Sequence, residues 1–113
     1  MSAITTHVLD TSAGKPAAGI RVDLSMTENG SWTNLGTETT DGDGRAKHLL
    51  SDDHKLAPGT YKLTFETREY FRARGGDSFF PRVDIIFSIQ DSSQHFHVPL
   101  LLSPYSYSTY RGS

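Results

Sequence analysis

Short stretches in which apolar and polar residues alternate, each ended by a turn signal, most limit what this chain can fold into. The segment IRVDLSMT (20–27) alternates four apolar residues with polar ones, which is the period of a half-buried strand. Asn29 and Gly30 follow, and both tolerate the positive φ angles of a tight hairpin turn. The segment SWTNLGTETT (31–40) then has the pattern of the partner strand.

The same pattern recurs along the chain, with one short helical interruption. The segment TREYFRAR (67–74) has the length of a two-turn helix, and Gly75-Gly76 after it is a common helix end. The predicted strands lie at 4–10, 20–27, 31–40, 60–66, 83–90, 95–103 and 105–111. We therefore predict an all-β fold, an antiparallel β-sandwich of seven to eight strands with one short helix, forming a single domain of residues 1–113.

Composition excludes several classes of protein. The chain has no cysteine, which rules out a disulfide framework, a thiolate zinc site and a cysteine nucleophile. A net charge of −2 and a pI near 6.2 predict no nucleic-acid partner and no membrane partner. The longest apolar run, 98–102, is too short to span a bilayer. No signal-peptide pattern or C-terminal peroxisomal tripeptide is visible, so we expect a cytoplasmic protein.

Two histidines lie on strand faces that a single core does not explain. Because successive side chains alternate, His7 lies on the face of strand 4–10 opposite its most apolar residues. His97 shares a face of strand 95–103 with His95, and both faces of that strand are largely apolar. A two-layer sandwich covers one face of each strand, so the pattern predicts an oligomer with His97 facing a subunit junction.

Two metal-site interpretations are weaker alternatives. The His95-x-His97 spacing suits two metal ligands on one face, with His7 as a third zinc ligand from another strand. The stretch 41–44 (DGDG) resembles the start of a calcium loop, but the glutamate at loop position twelve is absent, which favours an ordinary turn. The remaining histidines are predicted to be solvated surface residues: His48 and His54.

Three separated segments carry a more specific pattern: TTHVLDTSAGKPAAGIRVDL near the start, TTDGDGR in the middle, and HFHVPLLLSPYSYSTYRGS at the end. Together they resemble the 5-hydroxyisourate hydrolases, the transthyretin-like enzymes of urate breakdown, over nearly the whole chain. The stretch LLSPYSYST alone would equally fit transthyretin, the carrier that shares the fold. The carrier lacks the histidines, the turn arginine and the Tyr-Arg-Gly-Ser ending. Phe96 and Ile4 depart from the family's common Tyr and Leu, and neither is one of the implied catalytic groups.

The resemblance implies a transthyretin-like homotetramer with each active site at a dimer–dimer junction and with the C-terminal tetrapeptide folded into that junction. It implies the hydrolytic opening of 5-hydroxyisourate at its N1–C6 amide, giving 2-oxo-4-hydroxy-4-carboxy-5-ureidoimidazoline. Neither a cofactor nor a metal is implied. The functional residues it carries over are His7, Arg45, His97, Tyr110, Arg111, Gly112 and Ser113.

The implied chemistry gives each central residue a task. His7, with His97 beside it, activates water and shuttles protons, since imidazole titrates near neutral pH; which of the two is the base stays open. Arg45 binds a carbonyl oxygen and stabilises the developing negative charge. By position alone, Arg45 would be a solvated turn residue.

The C-terminal residues are implied to line the site. Tyr110 walls the pocket and offers a hydroxyl, and Gly112 contacts the substrate. Arg111 and the Ser113 carboxylate either orient water or substrate or hold each other as an ion pair. Two other classes of function stay open: a transthyretin-type module that binds a small molecule without turnover, and a small β-domain whose histidines hold zinc.

Overall fold

The computed structural model describes residues 2–112, and its strands form two sheets. In chain order the elements are β1 (Ile4–Asp10), β2 (Lys15–Pro16), β3 (Arg21–Glu28), β4 (Ser31–Thr39), β5 (Arg45–Ala46), β6 (Gly59–Phe65), α1 (Thr67–Arg72), β7 (Val83–Ile89), β8 (Phe96–His97), β9 (Leu100–Leu102) and β10 (Tyr107–Thr109). The predicted β-sandwich with one short helix is confirmed.

One sheet contains four strands and the other six. The four-stranded sheet has the order β4-β3-β6-β7 and is antiparallel throughout. The six-stranded sheet has the order β10-β9-β1-β2, with β5 and β8 also paired to β1. Unlike the other pairs, β8 and β9 run parallel to β1, a relation that alternation along a single strand does not reveal.

The core lies between the two sheets and consists of side chains that alternate inward from both. β1 shows this most simply, because Ile4, Thr6 and Val8 are fully buried, as the alternation predicts. Other fully buried apolar residues from both sheets are Val22, Leu24, Tyr61, Leu63, Phe65 and Leu100. One face of β1 is therefore packed in the core, and the opposite face, which carries His7, lies outside it.

The predicted turns and the helix are present, with small shifts in their bounds. Asn29 and Gly30 have φ angles of 51° and 80°, which confirms the hairpin between β3 and β4. The helix ends at Arg72, two residues before the predicted end, and Gly75 follows with a φ of 80°. Within residues 2–112, no helix is long and apolar enough to cross a membrane.

A hydrogen bond between two buried side chains ties α1 to the end of β1. The Tyr70 hydroxyl donates to Asp10 Oδ2 at 2.7 Å. Burial opposes ionisation of Asp10, but the hydrogen bonds from Ser12, Tyr70 and Ala13 together lower its pKa. Burial, aided by Asp10, raises the pKa of Tyr70 to about 12.

The predicted strand 95–103 is divided into β8 and β9, and this is the main departure from the expected layout. Pro99 stands at the break, where its lack of an N–H group removes one ladder hydrogen bond. Its carbonyl accepts from the Thr109 hydroxyl at 2.7 Å, and the adjacent Val98 carbonyl accepts from the Thr6 hydroxyl at 2.6 Å. Two-residue strands β2 and β5 also form outside the predicted strands, because both pair with β1.

Candidate active site

β1 brings three distant parts of the chain to one place. His7 is opposite Arg45 in the antiparallel β1–β5 pair, and Thr5 is beside His97 in the parallel β1–β8 pair. Directly opposed residues of an antiparallel pair have Cβ atoms about 4.5–5.5 Å apart. The structure therefore groups His7, Arg45 and His97, as the resemblance implies.

A tight turn fixes the backbone that carries Arg45. The Asp41 carboxylate accepts from the backbone N–H groups of Asp43 and Arg45 at 2.9 and 3.0 Å, and the Arg45 N–H is the main cause that lowers the Asp41 pKa. Gly44 has a φ of 75°, and a Cβ atom there would lie 2.5 Å from the Val8 carbonyl oxygen. The stretch is thus an ordinary turn, as predicted, whose last glycine lets β5 approach β1.

His97 is half-buried and held through one ring nitrogen. Its Nδ1 lies 2.8 Å from the Thr5 hydroxyl oxygen. Burial lowers the pKa of His97, and electrostatic repulsion from Arg45 and from the neighbouring His7 and His95 lowers it further; a hydrogen bond to the Thr5 backbone partly offsets these effects. The lowered pKa favours the neutral form of the His97 imidazole, the form that can accept a proton.

The C-terminal segment lies directly against His97. The Gly112 N–H donates to the His97 carbonyl at 2.8 Å in an isolated β-bridge. A Cβ atom at Gly112 would lie 2.7 Å from His97 Cδ2, so only glycine fits without displacing the ring. Gly112 therefore packs against the imidazole of its own chain, while Ser113 lies outside the described residues.

Tyr110 and Arg111 lie apart from the imidazoles within one protomer. Both line a pocket of about 220 Å³ that also includes Phe96. The Arg111 guanidinium lies 4.8 Å from the centre of the Phe96 ring and donates to Gln94 Oε1 at 2.6 Å. Phe96 faces away from His97 because neighbouring strand residues alternate, so this pocket is separate from the histidine cluster.

Sequence reasoning missed Thr5, whose buried hydroxyl lies between two imidazoles. It is 3.1 Å from His95 Nε2 as well as 2.8 Å from His97 Nδ1. Its position two residues before His7, on the same strand face, was the available signal.

Two other predictions for the histidines concern solvent exposure and zinc binding. His48 and His54 are exposed, as predicted. In the part of the chain described, residues 2–112, no group of three His, Cys, Asp or Glu side chains is arranged to hold a metal ion. The alternative in which His7, His95 and His97 together bind zinc therefore gains no support from the geometry.

Comparisons with known proteins identify the family of the chain. The profile of the HIUase/Transthyretin family matches residues 4–112. A mouse protein named 5-hydroxyisourate hydrolase is 51% identical over 114 residues, covering 99% of this chain and 96% of the mouse protein. The solved structure of Klebsiella pneumoniae 5-hydroxyisourate hydrolase is similar over the full length of both chains, with a TM-score of 0.87 and 40% identity. Transthyretin from Sparus aurata superposes with a TM-score of 0.91 at 28% identity, over 99% of this chain and 97% of that one. The chain therefore belongs to the HIUase/Transthyretin family.

Proposed function

We propose that this protein hydrolyses 5-hydroxyisourate at its N1–C6 amide to give 2-oxo-4-hydroxy-4-carboxy-5-ureidoimidazoline. The observation that carries the proposal is the grouping of His7, Arg45 and His97 around β1, with a lowered pKa on His97. Two proteins named 5-hydroxyisourate hydrolase support the same reaction: the mouse protein at 51% sequence identity and the solved Klebsiella pneumoniae structure at 40% sequence identity.

The reaction begins with a water molecule that must become a nucleophile. Its oxygen attacks C6 while one of its protons passes to a neutral imidazole, His7 or His97. A positioned base of this kind contributes about 10²–10⁴-fold to the rate. The lowered pKa of His97 favours the unprotonated imidazole, which can accept this proton.

Negative charge then develops on the C6 oxygen, and in this proposal Arg45 stabilises it. Its guanidinium stays protonated and presents paired donors in one plane. The tetrahedral intermediate collapses when the C6–N1 bond breaks and the imidazolium returns a proton to N1. The products are a carboxylic acid at C6 and an N–H group at N1, so one water has been added across the bond.

We further propose that the protein is a homotetramer with its sites at the dimer–dimer junctions. β7 and β10 are the edges of their sheets, and both carry exposed apolar side chains, Ile86 at 60% and Tyr107 at 40% exposure. Exposed apolar edge strands favour association with another copy of the chain. In that assembly Tyr110 and Arg111 of one protomer would complete a site wall that a single protomer leaves open. Substituting Ile86→Lys is expected to lower the mass measured by light scattering, and an unchanged mass would remove β7 from the interface.

The function is tested by generating 5-hydroxyisourate from urate with urate oxidase and following its ultraviolet absorbance. We expect the wild type to accelerate the decay far above the spontaneous rate and His97→Asn to lose that acceleration. His54→Asn is the matched control, because His54 is exposed and lies outside the site. Decay no faster than background from a folded wild type would instead favour a transthyretin-type binding module. Location in the cytoplasm stays a prediction of the sequence.

A further inference from the structure

The Thr5 hydroxyl joins two imidazoles that differ in exposure. Its oxygen lies 2.8 Å from Nδ1 of His97, which is half-buried in the site, and 3.1 Å from Nε2 of His95, which is exposed. Thr5 itself is 3% exposed, so its hydroxyl depends on these two rings for hydrogen bonds. A continuous hydrogen-bonded path therefore runs from His97 to solvent.

The Thr5 hydroxyl can bond to the two imidazoles in either of two orientations. A threonine hydroxyl has one proton to donate and lone pairs to accept with. When it accepts from His97 Nδ1–H and donates to His95 Nε2, the Nε2 atom of His97 is left unprotonated and able to act as a base. When both bonds reverse, the Nε2 atom of His97 carries the proton instead.

The hydrolysis described above leaves a proton to be removed. The carboxylic acid formed at C6 is ionised at neutral pH. Of the two protons that the attacking water brings, N1 takes one and the other must leave the site. Arg45 and His7 both disfavour a lasting positive charge on His97, as does its burial.

We propose that Thr5 is a positioning residue that orients His97 through Nδ1 and, together with His95, carries protons between His97 and solvent. This inference rests on the proposed function. After N1 has been protonated, the proton of the new carboxylic acid passes to His97 Nε2, the Nδ1 proton of His97 moves to Thr5, the hydroxyl proton of Thr5 moves to His95 Nε2, and His95 releases its Nδ1 proton to water. Thr5 ends with one hydroxyl proton, as it began.

The test compares variants that keep or remove the hydroxyl at nearly constant volume. We expect Thr5→Val to lower kcat by about tenfold, the lower end of the cost seen when the partner that orients a metal-ligating histidine is removed. Thr5→Ser should restore most of that loss. Thr6→Val is the matched control, since the Thr6 hydroxyl bonds the Val98 carbonyl on the other face of β1 and its loss should affect stability without lowering kcat.

Buffer rescue separates proton transfer from simple positioning. His95→Gln should lower kcat, and added imidazole should restore it, because a small diffusible base can collect protons in place of His95. Loss of activity that imidazole does not restore would overturn the proton path, and wild-type kcat in Thr5→Val would overturn the role of Thr5. An inactive wild type would instead refute the proposed function itself.

A measurement without turnover covers the case in which Thr5→Val folds poorly. The ¹⁵N resonance of His97 Nδ1 reports its hydrogen bond directly. We expect it to move in Thr5→Val but to stay close to the wild-type position in Thr5→Ser. An Nδ1 resonance in Thr5→Ser that matches a solvated imidazole would contradict the proposal even if Thr5→Val cannot be measured.

Discussion

Replacing Gly112 with alanine should displace the His97 ring, because the added Cβ atom would collide with it. The new Cβ would lie 2.7 Å from His97 Cδ2, 3.3 Å from the His97 carbonyl oxygen and 3.4 Å from His97 Cβ. Ordinary van der Waals contact begins near 3.4 Å, so the ring and the C-terminal segment must separate by about 0.7 Å. The ring cannot yield freely, because its Nδ1 is bonded to Thr5.

The size of the effect follows from that displacement. A misplacement of about 1 Å in a reacting group can cost about 10²-fold in rate. We therefore expect kcat/KM for 5-hydroxyisourate to fall by about 10- to 100-fold, or about 1.4–2.7 kcal/mol in the activation barrier. The fold should survive, because Gly112 lies at the edge of the structure and needs no positive φ.

The assay is the ultraviolet decay of 5-hydroxyisourate, combined with thermal unfolding of each variant. Gly42→Ala is the matched control, because a Cβ atom at Gly42 meets nothing within 4 Å and Gly42 also lacks a positive φ. Wild-type kcat/KM in Gly112→Ala would refute the claim that the C-terminal segment fixes the His97 ring. A loss of equal size in Gly42→Ala would also refute it.

Four further predictions concern charge, burial, the chain end and metal. Arg45→Met should raise the pKa of His97 in an NMR titration, because it removes a positive charge that disfavours the imidazolium; an unchanged pKa would contradict the electrostatic account. Tyr70→Phe should lower the free energy of unfolding in urea by about 1–3 kcal/mol, because buried Asp10 loses a hydrogen bond. Since the folded-state pKa of Asp10 is lowered, its stabilisation is present above the unfolded pKa near 3.9 and is lost as pH falls through the folded value; a penalty that stayed constant into acid would argue against this. Deleting residues 110–113 should abolish turnover while circular dichroism still reports a β-protein; retained activity would remove the chain end from the site. Chelator should leave turnover unchanged, and activity that requires added zinc would overturn the metal-free mechanism.

Alternation and turn chemistry predicted most of the fold because these signals are local. The bounds of β1 agree with the prediction 4–10, and the Asn29-Gly30 hairpin forms because its residues accept positive φ. Pairing between distant strands is not encoded locally. The parallel alignment of β8 and β9 with β1 was therefore not predicted, nor were the two-residue strands that exist through pairing with β1.

The candidate site could also be predicted only in part, because some of its contacts depend on pairing between distant strands. The strand faces of His7 and His97 follow from alternation, but their residue types alone do not specify Arg45 as their neighbour; the family resemblance supplied that residue. Thr5 escaped notice because a threonine in a strand is common, and its two imidazole partners become evident only when β8 lies beside β1.

Because β1 pairs with strands near the end of the chain, it cannot complete its pairing until synthesis is nearly finished. Thr5 and the histidines it bonds are 90 and 92 residues apart in the chain, so the contacts that complete the site have a high sequence separation. At a synthesis rate of about 5–20 residues per second, β1 leaves the ribosome about 5–20 s before its parallel partners exist. During that interval its hydrogen-bonding edge toward β8 and β9 is unpaired and open to other strands. A newly made chain is therefore most prone to aggregation before its last segment is translated, and a chaperone that shields this edge would raise the yield of folded protein.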